Sequence, residues 1–142
     1  MRHNSLGWHI QILANEMNAR MDAELAVHDI TRHQFGVLMI LLEEEGQSQA
    51  QIGKVINMPG YATTRGMDAL EAKGLVERRA DKASRRAYKI YLTEKGRALA
   101  PDLFGIIGRV NASMTDGFSQ PQIKALLELL QAMSANMGRS AQ

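Results

Sequence analysis

Apolar residues recur with a helical period in six stretches of the chain. Ile10, Leu13, Met17, Met21 and Leu25 follow one another at three- and four-residue spacing, with Asn15, Asn18, Asp22 and Glu24 between them. That pattern predicts one long amphipathic helix over 5–26. Thr31 opens a second helix: its hydroxyl caps the first turn, Gln34 reaches back, and Phe35, Leu38, Met39 and Leu42 form the apolar stripe. Glu43 to Gly46 ends it. Ser48 and Gln51 repeat the capping-box spacing ahead of Ile52, Val55 and Ile56, a short third helix, and Asn57-Met58-Pro59-Gly60 reads as a turn. A fourth helix runs from about Tyr61 to Lys73 and stops at Gly74, a residue suited to the left-handed position after a helix. On a wheel of about 100° per residue, Thr63, Gly66, Met67 and Leu70 share its inner face, while Tyr61, Arg65, Asp68 and Ala72 share the outer one.

After Gly74 the period changes to two. Leu75-Val76-Glu77-Arg78-Arg79 leads into a polar stretch from Asp81 to Arg86, and then Tyr88, Ile90 and Leu92 alternate with Lys89 and Tyr91. This predicts a hairpin with a long basic tip; lacking Asn-Gly or Asp-Gly, the tip is expected to be a mobile loop and not a tight turn. Thr93 caps the next helix, which presents Leu99, Leu103, Ile106, Ile107, Val110 and Met114 on one side, with Pro101 expected to kink it or mark a restart. Beyond Asp116-Gly117, Ser119 and Gln122 open a last helix bearing Ile123, Leu126, Leu127, Leu130 and Met133, and the tail from Gly138 is expected to fray. Helix, turn, helix and a basic two-stranded hairpin is the layout of a winged helix-turn-helix. The fold class is therefore mainly α with a small β-hairpin wing: one domain over 1–142, in which 31–97 form the winged lobe and 1–30 with 98–142 a helical dimerisation region. The amphipathic terminal helices have too little of their own lobe to cover, so a partner subunit across a two-fold axis is the economical cover for 5–26 and 119–137.

Composition narrows the function. At 142 residues with 45% hydrophobic content the chain is long enough to bury a core. No apolar run approaches the roughly 20 residues that span a bilayer, and the N-terminal stretch does not resemble a cleaved signal, so the protein is expected in the cytoplasm. The absence of cysteine removes disulfides, thiolate zinc sites and thiol nucleophiles. His3, His9, His28 and His33 form no metal-ligand spacing, no cofactor is implied, and no nucleophile or acid–base constellation suggests an enzyme. The net charge is +2, but residues 65–97 hold ten of the seventeen basic residues against five acids; this window is +5 and the rest of the chain −3. A localised basic segment points to a polyanion.

In such a motif the second helix presents its N-terminal residues to base edges in the major groove while cations hold phosphates around it. The candidate DNA contacts are Ser48, Tyr61, Ala62, Thr64 and Arg65, with Arg65 able to pair bidentately with guanine, and the wing residues Lys82, Arg85 and Arg86, placed to reach phosphates or the adjacent minor groove. A winged helix used only for contacts with other proteins is the alternative; it would need no cationic wing.

The strings Leu70-Glu71-Ala72-Lys73-Gly74-Leu75-Val76-Glu77-Arg78, Arg85-Arg86-Ala87 and Leu92-Thr93-Glu94-Lys95-Gly96, in this spacing, resemble the recognition-helix end, wing and following helix of the MarR-type regulators of bacteria and archaea. The resemblance extends over essentially the whole chain. It implies a cytoplasmic homodimer that binds a palindromic operator, usually represses nearby genes, and releases DNA when a small, often aromatic, acid binds. It also implies a ligand pocket between the dimerisation helices and the DNA-binding lobe, for which Trp8, His9, Met17, Phe35 and Met39 are the candidates; each is equally suited to core packing. One position departs from the family: the acidic residue that usually precedes the wing's basic pair, and braces it, is Ser84 here.

Overall fold

Local capping decides where most of the helices begin. The computed structural model describes residues 2–140 and, within them, every side chain except those of Arg2, Tyr61, Arg85, Arg139 and Ser140. After a short 3-10 turn, Ser5 caps α1 (Leu6–Ala26) by accepting from the Trp8 N–H. Thr31 and Gln34 form the expected reciprocal box at the start of α2 (Arg32–Glu43), and Ser48 with Gln51 does the same for α3 (Gln49–Val55). Each box satisfies two backbone N–H groups that a helix start otherwise leaves without partners. α4 (Gly60–Ala72) closes on Gly74, which takes φ +71°. Pro101 does not kink a continuous helix. α5 (Glu94–Ala98), capped by Thr93, stops ahead of it and α6 (Ala100–Met114) restarts with the proline in its first turn, where a missing N–H costs nothing. Ser119 and Gln122 box the start of α7 (Gln120–Ser140), which extends two residues past Gly138; the last two residues of the tail expected to fray lie outside the described residues.

The hairpin forms over the two segments of period two. β2 (Val76–Asp81) pairs antiparallel with β3 (Ser84–Leu92) in regular register from Val76 opposite Leu92 to Ala80 opposite Tyr88; beyond that the register shifts, Asp81 pairs with Ser84, and Arg85 to Ala87 have no ladder partner among the described residues. The tip, residues 81–87, is thus as long as expected, and it is partly ordered by the Asp81–Ser84 pair. Within this tip the Asp81 carboxylate accepts from the Ala83 N–H at 3.0 Å, so a side chain closes the turn at Lys82-Ala83. A two-residue strand, β1 (Gln47–Ser48), adds to the other edge of β3, giving the order β1-β3-β2.

The chain is made of two compact units, the first ending at Gly108 and the second beginning at Arg109. In the first, Leu25, Val37, Leu38, Leu41, Ile52, Met67, Leu70, Ile90, Leu103 and Ile106 are fully buried. The inner face predicted for α4 is correct: Thr63, Met67 and Leu70 all point into this core. The wing's base is fastened at several points. The Leu75 carbonyl accepts from the Thr93 N–H, the Thr93 hydroxyl donates to the Gly74 carbonyl at 2.6 Å, and the Glu45 carboxylate accepts from the Leu92 N–H at 2.9 Å and from Arg97 at 2.7 Å. In the second unit, a turn with Gly117 at φ +79° leads into α7, whose Leu126, Leu127, Leu129 and Leu130 are exposed. On α1, Leu6, Trp8, Ile10, Ile12 and Leu13 are exposed too, and its only buried side chain is Leu25. Among the described residues no helix is long and apolar enough to cross a membrane.

Two outcomes follow from the fastening of the wing. A Cβ on Gly96 would lie 2.1 Å from the Leu75 carbonyl oxygen, a backbone atom that cannot move aside cheaply. Gly96→Ala is therefore expected to lower stability by about 1–3 kcal/mol in urea denaturation. The hydrogen bond from Arg97, helped by the Leu92 N–H and opposed by partial burial, holds the Glu45 carboxyl below its ordinary value of 4.5. Because the folded-state value is depressed, its stabilisation is complete above the unfolded value and is lost as pH falls through the folded one. Denaturation from about pH 6 to about pH 3 should show the stability gap between wild type and Glu45→Gln shrinking with acid.

Candidate nucleic-acid interface

α3 and α4 are joined by a turn whose geometry is set by Asn57, at φ +53°, and by the Met58 N–H bonding back to the Gly53 carbonyl at 3.0 Å. Gly53 allows the approach of α4: a Cβ there would meet the Thr63 hydroxyl at 2.8 Å. Pro59 precedes α4, which has no side-chain cap and no acidic residue in its first turn, so nothing offsets the positive end of its dipole. Against the buried side of α4 stands His33 of α2. Its ring lies where a Cβ of Gly66 would be, its Nε2 is buried without a partner, and burial holds its pKa below the ordinary histidine range.

The cations of residues 65–97 divide into two groups. Five are bound within the fold. Arg78 donates to Asp68 at 2.6 Å, to Glu71 at 3.1 Å and to Gln49 at 3.4 Å, and its backbone N–H donates to Glu71. Arg79 pairs with Glu77 and lies 4.0 Å above the Tyr91 ring. Lys73 reaches the Asp29 carbonyl and carboxylate and the Gln34 side chain, Lys95 donates to the Lys73 carbonyl, and Arg97 holds Glu45. By contrast Arg65, Lys82, Arg86 and Lys89 are exposed and have no hydrogen-bonding or ionic partner among the described residues. Asp68, which could have paired with Arg65 along the helix, is taken by Arg78. The net +5 of the segment is thus expressed at the start of α4 and on the wing.

An open cleft of about 750 Å³ lies between the N-terminal parts of α3 and α4 and the strand β3. Ser48, Thr64 and Arg86 of the sequence-predicted contacts line it, together with three residues that sequence reasoning passed over, Gln49, Lys54 and Tyr88. Tyr88 shares the inward alternation of Ile90 and Leu92 but is half exposed. Gln49 and Lys54 carried no signal beyond their place on a short helix. The Ser48 hydroxyl is occupied as the α3 cap, and Ala62 is half-buried in the first turn of α4. The Thr64 hydroxyl donates to the Gly60 carbonyl at 2.9 Å and accepts from the Gln49 amide at 2.6 Å. The side chains of Tyr61 and Arg85, both predicted contacts, lie outside the described residues. None of the ligand-pocket candidates lines this cleft. Trp8 and His9 sit near the start of α1, where Trp8 is exposed and the His9 ring bonds the His3 carbonyl; Met17, Phe35 and Met39 are half-buried further along α1 and on α2.

Comparison with known proteins gives this geometry a context. The model of the MarR family matches residues 28–87. A MarR transcriptional regulator from Methanosarcina mazei Go1 is 27% identical, with a TM-score of 0.87 over 94% of this chain and 96% of that one. The transcriptional regulator SlyA is 25% identical, with a TM-score of 0.83 over 93% of each chain. A mutant MarR from E. coli complexed with operator DNA is 26% identical, with a TM-score of 0.80 over 90% of this chain and 92% of that one.

The division of the cations is open to a direct check. Arg78→Ala removes a largely buried guanidinium and its bonds to Asp68, Glu71 and Gln49; because the two carboxylates it leaves are exposed to water, the cost should be about 1 kcal/mol in denaturant unfolding. Lys82→Ala and Arg86→Ala should leave the unfolding midpoint where it is. Equal midpoints for all three would show that Arg78 is no more structural than the wing cations.

Proposed function

Because this chain is a winged-helix protein of the MarR family, whose members are transcriptional regulators, we propose that it binds duplex DNA as a homodimer and regulates transcription from a palindromic operator. One observation carries the reading. Four cations of the basic segment are paired with carboxylates and Lys95 bonds a backbone carbonyl, whereas Arg65, Lys82, Arg86 and Lys89 are left for a polyanion on α4 and on the wing. A protein-binding winged helix has no use for that separation. In this reading α4 enters the major groove with Thr64 and Arg65 at base edges, Tyr61, Ala62 and Ser48 lie at the edges of the contact, and Lys82, Arg85 and Arg86 hold phosphates or the neighbouring minor groove. The operator-bound relative supports duplex DNA as the partner.

The exposed apolar residues of α1 and of α7 support the dimer, since each helix leaves side chains in water that a second copy would cover. Residues 31–97 then act as the DNA-binding lobe, and 1–30 with 98–142 as the dimerisation region. The family resemblance extends the reading to a ligand-responsive repressor, with Trp8, His9, Met17, Phe35 and Met39 as the residues against which a small aromatic acid would be sought.

Light scattering at micromolar concentration should give a dimer, and Leu126→Glu or Leu130→Glu should weaken both assembly and folding. Salt titrations on a selected site and on random duplex test the DNA reading. Arg65→Ala is expected to lose about 1–3 kcal/mol on the selected site and relax the preference at one base pair in each half-site, whereas Arg86→Ala weakens all duplexes alike and makes the salt slope shallower by about one phosphate. Uniform loss for both variants would remove Arg65 from the base edge; a stable folded monomer would remove the dimer.

A further inference from the structure

We infer that Thr64 reads the 5-methyl group of a thymine and that Gln49 is the positioning residue that confines it to this role. The inference rests on the reading that the start of α4 enters the major groove, and it adds the chemistry of one base contact. A threonine hydroxyl has one proton to donate and two lone pairs. In Thr64 the proton is given to the Gly60 carbonyl one turn back, and one lone pair takes a hydrogen from the Gln49 amide. Thr64 cannot then donate to guanine N7 or O6 or to adenine N7, the acceptors a hydroxyl would seek in the major groove. The side chain is nonetheless exposed and lines the cleft beside Arg86. Its second lone pair can still accept from an amino group, and the other group it can offer a base edge is its methyl, whose match is the methyl of thymine.

The orientation of Gln49 is set by charge. Its oxygen accepts from the Arg78 guanidinium, which also holds Asp68 and Glu71, so its NH₂ is the end that meets Thr64. Reversing the amide would put its NH₂ against the guanidinium and its oxygen against a hydroxyl whose proton is already given. The wing's structural arginine thus fixes, through Gln49, the rotamer of a base-reading side chain on α4.

The probe is a duplex of about 30 bp, long enough for two half-sites, isolated from a random pool by repeated rounds of binding to the full-length protein. Each thymine is then replaced in turn by deoxyuridine, which keeps the base pair and deletes only the methyl. The wild type should show one position in each half-site where the replacement weakens binding roughly fourfold, the value of one buried methyl. Thr64→Ser keeps the hydroxyl and loses the methyl, so it should bind the thymine and uracil duplexes equally. Gln49→Ala should keep the wild-type melting temperature while its thymine-to-uracil ratio falls toward one, a change that a merely structural role would not produce. A wild type indifferent to uracil at every position, or a Thr64→Ser protein that keeps the full ratio, overturns the inference and leaves DNA binding standing. An unchanged ratio in Gln49→Ala overturns the positioning role. If no duplex is retained from the pool, this inference falls together with the proposed function.

Discussion

The guanidinium of Arg78 sets the relation between the wing and α4 on which the placement of the exposed cations depends. It stands at the start of β2, 17% exposed, and its donors reach two carboxylates one helical turn apart on α4 and an amide on α3. A planar fork with fixed donor directions is suited to holding two elements at one angle; a lysine, with a point charge on a flexible stem, is not. Removing this charge from water is costly, and the cost is met only because both carboxylates are close and the backbone N–H of the same residue also finds Glu71. The pair Asp68 and Glu71 therefore serves geometry more than solubility, though both lie on the polar side of the helix.

The same arrangement shapes the field of the protein. Acidic side chains at the polar side of α4 and on the outer face of the sheet are occupied by Arg78 and Arg79, so they do not neutralise Arg65, Lys82 or Arg86. A nearly neutral chain thereby keeps a strongly positive edge. Counting charges along the sequence finds the excess but not its location, because half of the basic residues that produce it are already spent inside the fold.

How much was readable from the sequence follows from how local each cause is. The Thr31–Gln34, Ser48–Gln51 and Ser119–Gln122 boxes are complete within four residues, and all of them form. The inner face of α4 was legible because Thr63, Met67 and Leu70 obey the helical period. The length of the wing tip was legible too, but not its closure, since the Asp81 side chain supplies a turn that dipeptide rules seek in glycine. β1 has two residues and exists only because β3, forty residues on, offers an edge. The partition of the cations depends on contacts such as Arg97 with Glu45 and Arg78 with Gln49, fifty-two and twenty-nine residues apart, which no local pattern encodes. Thr64 was identified as a contact from its place on α4, but the commitment of its hydroxyl depends on Gln49 of another helix.

The wing is held very unevenly along its length. At its base, Leu75, Gly74, Leu92 and Arg78 are tied to other elements, while beyond Ala80 the regular ladder has ended and, among the described residues, the Asp81–Ser84 pair and the Asp81 turn remain. Such a hairpin behaves as a cantilever. Thermal bending grows with distance from the clamp, so the cations nearest the tip sweep the widest arc while their mean direction is inherited from the base. In the proposed complex a beam of this kind would follow duplexes whose grooves differ in width without disturbing α4, because the compliance is confined to the span beyond the last anchored residue.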